Sequence, residues 1–161
     1  MSEGKILVSD KDGNYLLKFS GDVRVNLCGS LNHHMDAIFG STDVKHVVID
    51  MLDAECVDST TLGLIAKLAL HCRKEYSIDM QLFCQNPSIL RTLNCMSFDE
   101  IIEICEEVPD IDAELHDIES VNSDIDEVRR QVLEAHKLLT QLSPDSSKEF
   151  TDLIRALESG R

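Results

Sequence analysis

A chain of 161 residues with 43% hydrophobic and 28% charged side chains is long enough to close one domain around a core and to carry an appendage, so disorder over its whole length is excluded. Thirty acidic against fifteen basic residues give a formal charge of −15, and aromatics make up 4% with no Trp. Phosphate backbones are repelled by such a surface and base-stacking platforms are missing, so nucleic acid is disfavoured as a partner and a basic protein is not. The charge is uneven: residues 1–96 hold 12 acids and 9 bases, whereas residues 97–161 hold 18 acids and 6 bases. No apolar run approaches the roughly 18 residues of a membrane span, and the N-terminus lacks the basic-then-apolar order of a secretory signal. A cytoplasmic protein without membrane contact is expected.

In chain order, residues 15–20 and 23–27 read as two strands around a Gly21-Asp22 turn, the second alternating apolar and polar. Ser30 is a candidate cap for a helix running to Phe39, with Gly40 ending it. The β-branched run 47–52 predicts a central strand buried on both faces. Leu62, Ile65, Ala66, Leu68, Ala69 and Cys72 then recur at helical spacing, which predicts a helix from Asp58-Ser59-Thr60 to about Tyr76. Residues 78–84 alternate as a strand, Pro87 opens a short helix, and 98–105 fits a last strand or helix.

These elements compose an α/β domain over residues 1–107, with a mixed sheet covered by helices. Residues 99–119 contain ten acids and no Lys or Arg, with Pro109 among them, which places an acidic linker near 106–116. Beyond it Ile118, Val121, Ile125, Val128, Val132, Ala135, Leu139 and Leu142 form an apolar seam of period 3.5. Ser143-Pro144-Asp145 breaks that helix, and Phe150, Leu153, Ile154 and Leu157 mark a second one, so residues 108–161 read as a linker and a helical hairpin. The 118–142 seam fits packing on the α/β body, self-association or a partner helix equally well.

Chemistry by the chain itself finds little support. Cysteines 28, 56, 72, 84, 95 and 105 stand singly in apolar segments without a CxxC pair, as buried reduced thiols do. His33, His34, His46 and His71 show no zinc-binding spacing, so no metal is expected. No serine has glycines on both sides in a nucleophile elbow, and neither a P-loop nor a GxGxxG is present. What stands out is a run of hydroxyls beside an acid where the best strand meets the best helix. Helix capping explains one or two of them, while a hydroxyl there is also a good phosphoryl acceptor.

Val57-Asp58-Ser59-Thr60-Thr61-Leu62-Gly63 resembles the V/M-D-S-S/T-x-L-G signature of bacterial anti-sigma factor antagonists, which are STAS domains. Upstream, Val25-Asn26-Leu27-Cys28-Gly29-Ser30-Leu31-Asn32-His33-His34 is similar to the family's V-x-L-x-G-x-L-D segment, and downstream residues 84–93 resemble the turn and short helix that close the domain. The resemblance covers residues 5–107 and implies a STAS-like mixed sheet. It also implies partner switching: the unphosphorylated protein binds an anti-sigma factor or switch kinase, an ATP-dependent serine kinase modifies it, and a PP2C-type phosphatase resets it. Such a protein catalyses nothing and needs no cofactor. By position Thr60 is the first candidate acceptor and Ser59 the alternative, with Asp58, Thr61, Asn32 and His33 joining them in partner contact on the loop and the exposed face of the following helix. Thr61 stands where the family usually has Gly, and Asn32 where it has Asp. A constitutive STAS-type adaptor, not regulated by phosphorylation, is the alternative.

Overall fold

The structure, a computed structural model, describes residues 2–142. It contains β1 (Lys5–Lys11), β2 (Asn14–Val23), α1 (Cys28–Phe39), β3 (His46–Val57), α2 (Ser59–Tyr76), β4 (Gln81–Phe83), α3 (Pro87–Cys95), β5 (Glu103–Cys105), β6 (His116–Asp117) and α4 (Ile125–Leu142). Six strands form one mixed sheet in the order β5-β4-β3-β2-β1-β6. β2, β3, β4 and β5 are parallel, with Leu17 opposite Ile49 and Ile49 opposite Leu82, while β1 runs antiparallel to both of its neighbours.

β3 is the central strand that its β-branched run predicts. Val47, Ile49 and Met51 point into the main core with Leu17, Phe19, Leu82 and the inner faces of α1 and α2. Their neighbour Val48 points to the opposite face, where it meets Leu16, Phe83 and Cys105. A strand's side chains alternate between faces, so only a continuous apolar run satisfies both. The second face is covered by Ala113 and Leu115, so the acidic segment lies along the sheet as an extended strap.

α2 and α3 start at capping side chains, whereas α1 starts at Cys28 without one, so Ser30, its expected cap, lies inside the helix. Asp58 caps α2, and Asn86 caps α3 with Pro87 at its first position. The Tyr76 hydroxyl at the end of α2 donates to the carbonyl of Ile38, 2.7 Å away, and lies 2.8 Å from that of Ser41, which locks α1 and α2 into one layer.

Further expectations are corrected. The hairpin turn is Asp12-Gly13 rather than Gly21-Asp22: both residues have positive φ, +54° and +83°, and β1 pairs with β2 around them. Gly21 lies within β2 beside a register shift against β3, and residues 25–27 form a 3-10 turn leading into α1 instead of a strand. Such an irregularity lets the strand bend without ending. Finally, the 118–142 seam is helical only from Ile125. Ile118 is extended, its N–H donates to the Ile6 carbonyl as a continuation of the β6 pairing, and its side chain packs on the main core. The expected break at 143–145 and second helix at 150–157 lie outside the described residues.

Candidate functional site

The loop between β3 and α2 is built around one carboxylate. Asp58 has extended backbone, φ −82° and ψ 170°, which lets its side chain turn back over the start of the helix. Oδ1 accepts the Thr61 N–H at 2.9 Å, and Oδ2 accepts the Val25 N–H at 2.8 Å. Its own N–H donates to the Val23 carbonyl and its carbonyl accepts from the Leu62 N–H. Asp58 therefore ties the end of β2, the turn before α1 and the first turn of α2 at a single point. A carboxylate at this end of the helix is also favoured by the helix dipole.

The three hydroxyls that follow have different fates. Ser59 is half-buried, and its Oγ lies 2.7 Å from Nε2 of His136 on α4. Thr60 is 5% exposed, which hides the first candidate acceptor. Thr61 is fully buried, and its Oγ1 sits 3.5 Å from the Cys28 thiol. It faces the interior and serves as packing between α2 and α1. Its φ is not positive, so the absence of Gly there costs the loop nothing. Burial pushes the Cys28 thiol up to about 12 and the Cys72 thiol up to about 11; for Cys28 the Thr61 contact acts the other way and Asp58 adds to the rise.

His136 is 2% exposed, and its Nδ1 lies 2.6 Å from the Val132 carbonyl. A carbonyl only accepts, so Nδ1 carries a proton; in the neutral ring Nε2 then accepts the Ser59 hydroxyl proton. The residue is invisible to a reading of residues 1–107 because it comes from the appendage. Its position next to Ala135 in the apolar seam was the one signal that could have placed it on an interface.

Asn32 and His33 belong to α1, on the side of the domain where the extension passes. His33 Nε2 is 3.5 Å from Glu119 Oε2, and Ser30 Oγ accepts the Val121 N–H at 3.0 Å. Asn32 Oδ1 is buried without a hydrogen-bond partner. The face of α2 expected to be exposed is not: residues 60–66 are all buried. α4 lies across them, and the reason is Gly63. A Cβ built there would stand 2.6 Å from the Cα of Ala135 and 2.8 Å from its carbonyl oxygen, so the two helices cross backbone to backbone at a Gly and an Ala. The Lys67–Glu134 ion pair, 3.1 Å, flanks the crossing, and Leu139 of α4 is fully buried in the domain core.

Fold and site together define a small α/β domain whose central parallel strand delivers a capped row of hydroxyls to a helix N-terminus. Residues 5–111 match the STAS domain family, and the chain belongs to that family. Among solved structures it is similar to an anti-sigma factor antagonist from Mycobacterium paratuberculosis, at 20% identity and a TM-score of 0.56, over 66% of this chain and 88% of that one. At that identity the likeness is one of fold. A comparison with curated proteins finds no match. Among the described residues no helix is long and apolar enough to cross a membrane.

Proposed function

We propose that the chain is an anti-sigma factor antagonist working as a phosphorylation-controlled partner switch, without catalytic activity or cofactor of its own. The observation that carries this reading is the row Ser59, Thr60, Thr61 in the first turn of α2, pinned by Asp58 to Val25. In the unphosphorylated form the loop at 58–61 and the adjoining helix surface dock an anti-sigma factor or switch kinase. A separate serine kinase then modifies Thr60 or Ser59, and a PP2C-type phosphatase reverses the step. A phosphoryl group adds about −1.5 to −2 charge beside the Asp58 carboxylate. Like charges at that distance repel, which loosens the clamp that shapes the docking loop. Family membership and the likeness in fold to the Mycobacterium paratuberculosis anti-sigma factor antagonist support the reading.

A constitutive adaptor is the second reading, favoured by the burial of Thr60, 5% exposed, and by the engagement of Ser59 with His136. The two are separated by intact-mass and peptide mapping of the protein from its native cells, with and without phosphatase inhibition, followed by pull-downs with each form. One phosphoryl group on residue 59 or 60 and a changed set of partners is the expected result. Thr60→Ala should then bind its partner constitutively and Thr60→Glu weakly. No phosphoryl group under any growth condition, or equal binding by both variants, leaves the adaptor.

A further inference from the structure

We propose that the segment 118–142 is an in-chain lid on the docking face, and that both access to Ser59 and partner docking on α2 require α4 to leave it. The proposal rests on the partner-switch reading for what the face is used for, and on contacts for everything else.

The lid reaches the residues that the family resemblance assigns to partner contact. Glu119 meets His33, Val121 meets Ser30 two residues before Asn32, and His136 holds Ser59 one residue after Asp58. Ala135 sits on Gly63, so a partner helix and α4 cannot occupy the same surface. A separate kinase that transfers the γ-phosphoryl group of ATP must form a bond to Ser59 Oγ while ADP leaves and the hydroxyl proton is lost. The 2.7 Å contact with a buried imidazole leaves neither the line of approach nor room for three phosphoryl oxygens. Closed lid and phosphorylated Ser59 are therefore mutually exclusive, and by linkage each disfavours the other to the same degree.

The lid's interface has the composition of one that opens. Of the α4 side chains only Ala135, His136 and Leu139 are buried, Ile118, Leu138 and Leu142 pack on the core only partly buried, and Ile125 at the start of α4 is 78% exposed. Most of the named contacts are polar. Gln131 Oε1 on α4 and Asn32 Oδ1 on α1, which line the same crevice, are buried without partners and regain water when the lid lifts. An integral core helix carries more apolar anchors and fewer orphaned polar atoms. A protein whose competent state is a minor one binds more weakly by the fraction open, and a variant that opens the lid removes that penalty.

The test uses the full chain. Native-state hydrogen exchange followed by mass spectrometry should show α4 amides exchanging about a hundredfold or more faster than those of β3, through an opening that leaves the sheet protected. Ala135→Arg puts a long side chain where only a methyl group fits and alters nothing in residues 1–117. In a Ser59→Cys background, N-ethylmaleimide labelling of position 59, located by peptide mass, should run about tenfold or more faster with Ala135→Arg than without it. Glu134→Lys, which turns the Lys67 ion pair into a repulsion, should act in the same direction if the arginine variant fails to fold. Exchange of α4 only together with β3, or equal labelling in lid-intact and lid-disrupted chains, overturns the lid. Absence of phosphorylation in cells alongside a lid that opens overturns the switch reading alone, so the two failures are distinguishable.

Discussion

Asp58 ties the end of β2 and the turn before α1 to the first turn of α2, and its removal leaves two N–H donors, those of Thr61 and Val25, without an acceptor. Loss of a helix cap costs about 0.5–2 kcal/mol, and a buried donor left unpaired about 1–3 kcal/mol. Asp58→Ala should therefore lower stability by roughly 2–3 kcal/mol in urea unfolding at unchanged slope. Asp58→Asn keeps one acceptor oxygen and should lose about half as much. A loss below about 0.5 kcal/mol for the alanine variant would show that water replaces the clamp. The thiols give a prediction in pH. Cys28 at about 12 and Cys72 at about 11 stay protonated in the folded chain, whereas the unfolded thiols ionise near 9.0. A raised acid contributes stability that is complete below the unfolded value and fades as pH climbs toward the folded one. The urea midpoint should thus fall between about pH 9 and pH 11, and Cys72→Ala should flatten the fall; an equal slope in the variant would place its origin elsewhere.

At the level of elements, legibility followed the strength of the local signal. β3 was visible because burial on both faces demands an unbroken apolar run, and α2 and α3 because Asp58 and Pro87 mark their starts. The first strand was not, since Ile6 and Val8 are the only residues of β1 in the main core and charged residues surround them. The Asp12-Gly13 pair was nevertheless a hairpin signal in plain view. Gly13→Ala tests how much that turn fixes: its φ is +83° and a Cβ would lie 2.5 Å from the Asp43 carbonyl oxygen. The variant should lose more than about 1 kcal/mol, read from the thermal midpoint, and a neutral result would mean that the 41–45 loop yields instead. The site itself divided along the same line. Asp58 and the hydroxyls were legible as a motif, because capping is local. Their cover was not: an apolar seam looks the same in sequence whether its counterpart is the same domain, a second copy or another protein.

Over the whole molecule the acids outnumber the bases two to one, so half of the carboxylates have no Lys or Arg of their own to pair with. Among the described residues the Lys and Arg ion pairs are Lys67 with Glu134, Arg73 with Asp79 and Arg24 with Asp22 on the surface, and Lys18 between exposed Asp53 and buried Asp50. Exposed pairs contribute little, and salt removes little by screening them. The repulsion is different in kind. The acid-rich stretch 99–119 includes β5 at one edge of the sheet, the strap over its second face and β6 at the other edge, so like charges are held in a band across that face by the fold itself. With a Debye length of about 30 Å at 0.01 M the whole domain feels that repulsion, and at about 10 Å in 0.1 M salt only near neighbours do. Raising sodium chloride from about 10 to 300 mM should therefore raise the thermal midpoint by roughly 3–6 °C in scanning calorimetry. A midpoint that falls with salt would mean that the surface pairs outweigh the self-repulsion. Charge reversal of strap residues such as Asp112 or Glu114 should reduce the salt effect, since these exposed side chains lie within that acidic band and the loss of repulsion there no longer depends on screening.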